Sequence, residues 1–236
     1  MTDTYRRRAG LAAAVLAAAS LVLAPLNALA RMRTESGLSD YENPLAAWWA
    51  RPAMDLARPI LDWASPDTVY ETYGKYYVFA VVAVIACALA VRSLRPERQG
   101  WAERWGWRIV LVGYVLTAVG LFVSYWIANL DIVFLGITIP ALLLSSIGNI
   151  LLGVGLIRAG FRPRLTGWVL AFELPLSIGL VAISTQALGM WPMMLAWGVA
   201  GWSLWKAPAQ TGSGAHSFLA SSSPSPTGSR SGTSDS

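Results

Sequence analysis

The chain has 236 residues, of which 55% are hydrophobic and only 13% charged, with a mean hydropathy of +0.49 and a net charge of +5. Soluble domains carry close to a quarter of charged residues, so this composition points to a bilayer resident. The apolar runs are continuous and lack the alternation of a membrane barrel, and backbone groups in lipid must be satisfied within each segment. The expected fold is therefore all-α, a polytopic transmembrane helical bundle.

The positive charge does not imply a nucleic-acid partner, because the arginines flank apolar runs and form no separate basic domain. The single cysteine, Cys87, lies in an apolar run, and the single histidine, His216, lies in the polar tail. That distribution excludes an intramolecular disulfide, a haem held by two histidines, and Ser-His or Cys-His catalytic pairs within the membrane part. No metal site and no cofactor is expected.

Arg6, Arg7 and Arg8 precede an apolar stretch, residues 10–30. With Pro25 and the Ala28-Leu-Ala30 ending it matches a cleavable signal peptide, and it is also long enough for an uncleaved first transmembrane helix. Residues 31–75 form the one sizeable loop, read as extracytoplasmic, with five basic and seven acidic side chains. Asn43-Pro44 predicts an N-cap followed by an N1 proline. Leu45, Trp48 and Trp49 then share one face of a short helix that Pro52 ends. Ser65-Pro66 repeats the device. Either the short helices lie on the outer interface with Trp48, Trp49 and Trp63 among the headgroups, or the loop folds back over the bundle.

A five-helix bundle follows over residues 76–206. The second span, 76–94, has Tyr70, Tyr73, Tyr76 and Tyr77 crowding its outer end as an aromatic belt. Ala80, Ala83, Cys87 and Ala90 give it a small-residue face. Arg92, Arg95, Arg98, Arg104 and Arg108 against Glu97 and Glu103 mark the next connector as cytoplasmic. The third span, 107–130, carries Gly113, Thr117, Gly120 and Ser124 as a contact stripe, and Asn129-Leu-Asp131 predicts a tight hairpin. The fourth and fifth runs, 132–157 and 168–183, are interrupted by Pro140 and Pro175, expected helix kinks, and are joined by a connector holding Arg158, Arg162 and Arg164. A sixth run covers 188–205. Six spans, or five if the N-terminal stretch is cleaved, with both ends inside, place 13 of the 18 basic residues in the cytoplasm. The expected location is the plasma membrane. Residues 207–236, rich in Ser, Gly and Pro, read as a disordered cytoplasmic tail.

Glu173 and Asn149 are the most polar residues deep in any apolar run. A carboxylate about five residues, roughly 7 Å, from a span end is costly unless paired, wet or protonated. Asn149 lies on the facing helix about eight residues deep, with Ser145 one turn away. This predicts an Asn149 to Glu173 hydrogen bond. It serves either as interhelical glue or as the polar centre of a proton, cation or small-solute path. No inverted repeat accompanies the prolines, and Gly153-Val-Gly155 lacks the ending of a phosphate loop.

The run Leu151-Leu-Gly-Val-Gly-Leu-Ile-Arg158-Ala-Gly-Phe-Arg-Pro163-Arg164-Leu-Thr-Gly167-Trp168, with the closing Trp197-Gly-Val-Ala-Gly-Trp-Ser-Leu-Trp205, resembles a group of small uncharacterised bacterial membrane proteins. In these a Pro-Arg-x-x-Gly-Trp connector follows a span ending in Leu-Leu-Arg, and the last span ends in a Trp-rich segment. The resemblance implies no activity. With no histidine in a span and no pair of spanning carboxylates, the expectation is a non-enzymatic membrane scaffold or accessory protein. Its loop 31–75 would contact a membrane-protein partner or a second copy. The alternative is a small-solute or proton-coupled transporter centred on Glu173 and Asn149. A water-filled cavity at Glu173 favours transport, and a Glu173 sealed against Asn149 or a backbone carbonyl favours the scaffold.

Overall fold

The computed structural model describes residues 1–95, 99–127 and 133–207, and every regular element among them is helical. Helix α1 (Asp3–Arg31) starts on the Thr2 hydroxyl, which accepts from the Tyr5 N–H, and runs on through Pro25. A short 3-10 turn, Glu35–Gly37, and α2 (Leu38–Glu42) lead into α3 (Pro44–Leu61), α4 (Pro66–Gly74) and α5 (Tyr76–Arg92). Helix α6 (Trp101–Phe122) continues into a π-helical turn, Val123–Ile127. A second π-helical turn, Phe134–Thr138, opens α7 (Ile139–Arg158). Then come α8 (Arg164–Ala171), α9 (Glu173–Ala182), a 3-10 turn at Gln186–Met190 and α10 (Trp191–Lys206).

Four helical runs are long and apolar enough to cross a membrane: Asp3–Arg31, Pro66–Arg92, Trp101–Ile127 and Phe134–Arg158. The pair α8 and α9, bent by 64°, makes a fifth if counted as one broken span. The sixth run is shorter than its sequence suggests. The Thr185 hydroxyl accepts from the Ala187 N–H and starts a tight turn, so the α-helix begins only at Trp191, next to Pro192. Its 16 residues rise about 24 Å, below the roughly 30 Å of a hydrocarbon core.

Small residues set the packing. Along α6 and α7, antiparallel neighbours, Gly106 faces Leu152, Gly113 faces Ser145 and Gly120 faces Thr138. In return Gly148 faces Val110 and Gly155 faces Glu103. A Cβ on Gly113 would stand 2.7 Å from the Ser145 nitrogen, and one on Gly148 would stand 2.6 Å from the Val110 nitrogen. Without a hydrophobic drive between helices in lipid, such backbone proximity is what gives van der Waals packing its strength. The stripe read as a helix contact is this one. Gly10 and Gly201 meet backbone to backbone where α1 crosses α10, and the Trp191 indole donates to the Ser20 carbonyl at 2.9 Å. The Tyr77 hydroxyl donates to the Ala187 carbonyl at 2.6 Å and the Cys87 thiol to the Trp197 carbonyl at 3.6 Å, which sets α5 parallel to α10.

The two ends of the bundle differ. At one end, α7 stops at Gly160, whose φ of +66° lets the chain reverse while the Phe161 N–H reaches back to the Leu156 carbonyl at 2.9 Å. There Arg95 and Glu103, both expected as connector charges, form a bidentate pair at 2.7 and 3.0 Å, with side chains 6% and 3% exposed. The Arg95 guanidinium lies over the Phe161 ring.

The other end carries α2, α3 and α4. Asn43 and Ser65 cap α3 and α4 as expected, accepting from the Leu45 and Thr68 N–H groups. Pro52, however, does not end the helix: α3 continues through it and through Pro59 to Leu61. Both prolines are exposed, and so are Trp48 and Asp55, the residues whose carbonyls they leave without an N–H, so the lost bonds fall on the outward face. On the face that Leu45, Trp48 and Trp49 share, Trp49 is the half-buried member, at the edge toward the bundle. Its indole donates to the Ile183 carbonyl at 2.7 Å, and the Asn43 amide donates to the Ala182 carbonyl at 3.1 Å. These bonds close the free carbonyls at the end of α9. The tyrosines are no belt either. Tyr70 and Tyr77 are buried against the Tyr125 ring, Tyr76 is buried against Tyr77, and the Tyr73 hydroxyl donates to the Ile60 carbonyl at 2.7 Å. The Asn129-Leu-Asp131 turn, Glu97 and Arg98, and the tail beyond Ala207 lie outside the described residues.

Gly113→Leu is expected to lower the stability of the purified protein by at least about 2 kcal/mol, because the added side chain has backbone and not a flexible neighbour to displace. Unfolding in detergent against wild type measures it. A surface change such as Val112→Leu, one residue away and exposed, should leave stability within about 0.5 kcal/mol.

Candidate functional site

Pro175 has no N–H for the Ala171 carbonyl, and its ring would press on that carbonyl in a continuous helix. The helix accordingly stops at Ala171, turns at Phe172 (φ −103°, ψ 12°) and restarts at Glu173. The new helix is held by the Leu176 N–H on the Phe172 carbonyl at 3.1 Å. Glu173 is therefore the first residue of α9, where the exposed N–H groups of a helix start favour a carboxylate. Pro140 is the second residue of α7, just past a π-helical turn in which the Ile139 N–H bonds the Phe134 carbonyl, so its missing N–H falls where the helical hydrogen-bond pattern changes.

The bend opens a cavity. Helix α8 lies along α7, with Gly153 against Gly167 and Ala171, while α9 swings away from it. The space left between α6, α7, α9 and the turn at 186–190 has a volume of about 510 Å³. Leu121, Leu142, Ile178 and Met190 make its walls mostly apolar, and Thr138, Ser146, Glu173 and Ser177 are its polar points. Leu143 and Ile178 line the cavity and are also exposed on the flank of the bundle, so it reaches the side between α7 and α9.

Glu173 is 5% exposed. Its Oε1 accepts from the Ser177 hydroxyl at 3.2 Å, and its Oε2 has no partner among the described residues. An acceptor oxygen left open on an apolar wall calls for a donor, whether an ammonium, a hydroxyl, an N–H or a proton.

Asn149 does not supply that donor. The expected Asn149 to Glu173 bond is replaced by another: the Asn149 Oδ1 accepts from the Tyr114 hydroxyl at 2.5 Å, which itself accepts from the Trp197 indole at 2.7 Å. Asn149 sits beside the Gly148 contact and faces α6 and α10, whereas the turn at Phe172 carries Glu173 to the cavity side of α7. Ser145 also belongs to the helix contact. It is buried against Gly113, and its hydroxyl donates to the Leu142 carbonyl at 2.8 Å. Of the sequence candidates, then, Glu173 lines the cavity and Asn149 and Ser145 pack helices. The residues missed are Ser177, Ser146, Tyr114 and Trp197. Ser177 stood one helical turn from Glu173 and was open to that reading, whereas nothing in the sequence joined Tyr114 to Trp197 across 83 positions.

No group of three or more His, Cys, Asp or Glu side chains able to hold a metal ion occurs among the described residues. Comparison of the chain with models of protein families, with curated proteins and with solved structures gives no match.

Tyr114→Phe is expected to cost about 2 kcal/mol of stability, since it strips a donor from Asn149 and an acceptor from Trp197 at once in a buried site. The same variant should leave the cavity and any ligand affinity at Glu173 unchanged. Melting temperature and binding measured on one preparation separate the two effects.

Proposed function

We propose that the chain is a non-enzymatic, multi-pass plasma-membrane protein that binds, and moves across the bilayer, a small and largely apolar molecule bearing an ammonium or another hydrogen-bond donor. Glu173 takes the polar end and the cavity walls take the rest. The observation that carries this reading is the unpartnered Oε2 of Glu173 on the wall of a cavity of about 510 Å³. That volume falls within the range of small-molecule sites. A span broken near a polar residue is also how transporters expose a helix start at depth.

The topology within this proposal is six spans with both ends in the cytoplasm, α10 being the short sixth. It is supported by Arg92, Arg158 and Arg164 at the ends of α5, α7 and α8, opposite the loop that carries α2 to α4. The fit of α1 against α10 through Gly10, and the Asn27 amide donating to the Tyr70 carbonyl at 2.9 Å, favour an uncleaved first helix.

A scaffold role is the second reading, favoured by the outward face of α3. Trp48 is 72% and Leu56 86% exposed there, with Leu45 and Ile60 beside them. A membrane-protein partner or a second copy would cover that face.

The test is binding of a fluorescent lipophilic amine, such as a dansylated alkylamine, to protein in nanodiscs. Wild type should give a saturable emission rise, Glu173→Gln should weaken binding at least tenfold, about 1.4 kcal/mol, and Glu173→Asp should retain most of it. Equal affinity in wild type and Glu173→Gln would sink the proposal and leave the scaffold.

A further inference from the structure

A second, smaller cavity of about 210 Å³ lies between the Glu173 cavity and the loop end of the bundle. Arg31, Asp67, Tyr70 and Ser124 line it, and its walls are far more polar than those of the first. Three residues line both spaces, Tyr125, Phe134 and Gln186, so these side chains are the partition between them. Ser36 and Asp67 are exposed, which opens the chamber at the loop end.

The charges of the chamber are unequal. Arg31 is the cation of the lining and is paired through Nε with Asp40 at 3.0 Å, so that with Asp67 at the rim these three groups leave one negative charge in excess. The Ser124 hydroxyl is more than nine-tenths buried and has no partner among the described residues. A chamber of this kind suits a solute that is cationic and hydrated, which is what an amine is before it reaches an apolar pocket.

The partition itself is built on unusual backbone. Tyr125 lies in the π-helical turn Val123–Ile127 and Phe134 in the π-helical turn Phe134–Thr138, and such turns often mark functional sites in membrane and soluble helices alike. The Tyr125 ring rests against Gly74, where any Cβ would collide with it. Its hydroxyl donates to the Tyr70 hydroxyl at 3.1 Å, and its ring stacks 6.5 Å from Tyr77. That part-buried hydrogen bond and the ring contacts with Tyr70, Tyr77 and Gly74 hold the side chain between the two spaces, and a solute passing from one to the other has to displace it.

We infer that the chamber is the entry subsite of the Glu173 cavity, taking a small protonated amine from the loop end, with Tyr125 as the residue that admits it. The inference rests on the binding role proposed for Glu173, and it adds the route and the charge of the ligand.

The experiment places a cysteine at Ser177, which lines the Glu173 cavity, in a Cys87→Ala background, and times its modification by membrane-impermeant methanethiosulfonates added to the loop side of oriented vesicles. The trimethylammonium reagent should react several times faster than the sulfonate reagent, and Asp67→Asn should abolish that preference. Tyr125→Ala should raise the rate at least tenfold, and Tyr125→Phe, which loses only the bond to Tyr70, should raise it less. Phe134→Ala is the second variant should Tyr125→Ala not fold. A rate unchanged in both variants, a cysteine that never reacts, or faster reaction from the opposite side overturns the inference. A route that passes while Glu173→Gln still binds the amine sinks only the role of Glu173. Amine binding that needs Glu173, with no effect at Tyr125, sinks only the route.

Discussion

The backbone contact between α6 and α7 is the constraint on which the rest of the structure depends. Gly106, Gly113 and Gly120 on one helix and Gly148 and Gly155 on the other meet their partners in a register that advances evenly along both, so a slip of a single residue would drive Cβ atoms into backbone. In a bilayer that interlock replaces the hydrophobic drive that holds soluble helices together. It makes α6 and α7 one rigid post. The last close pair is Gly120 with Thr138, and immediately beyond it both chains widen into π-helical turns. The aromatic partition therefore sits where the interlock ends, and the cavity lies against the side of the post that α9 leaves uncovered.

Two kinds of buried polarity follow from this arrangement. The Trp197, Tyr114 and Asn149 chain runs from α10 through α6 to α7 and uses a donor, a donor-acceptor and an acceptor in sequence. It ties three helices, and leaves the Asn149 Nδ2 without a partner among the described residues. Glu173 likewise has one oxygen engaged, by its own helix, and the other open. What separates the two is place: the Asn149 amide lies within a helix contact, and the open oxygen of Glu173 lies on the wall of a cavity.

Much of this was legible in the sequence, for reasons that can be located. The apolar runs, the Asn43 and Ser65 caps, the Gly113 to Gly120 stripe and the break near Pro175 are local signals, each carried by spacing or by a single residue's backbone chemistry. Pro52 misled because a proline reports a lost N–H but not the face on which it falls, and on an exposed face the helix continues. Tyr70, Tyr76 and Tyr77 misled because an aromatic at a span end reads the same whether it faces lipid or the interior. The Arg95 and Glu103 pair, counted as connector charges, needed the fold to show that they are buried together. Asn149 and Glu173 were close in depth, yet their pairing was decided by a 64° turn that a sequence marks without giving its direction.

The capping of α9 by the loop has a mechanical side. The carbonyls of Ala182 and Ile183 are held by Asn43 and Trp49 at the first turns of α3, while α8 is pinned by Gly153 and by the Thr166 hydroxyl on the Ala196 carbonyl at 3.0 Å. The chain between the two anchors leaves helical geometry at a single residue, Phe172. Glu173, the first residue past it, is thus joined to the amphipathic helix α3 through one unbroken helix, a strut that spans from the polar wall of the cavity to the loop.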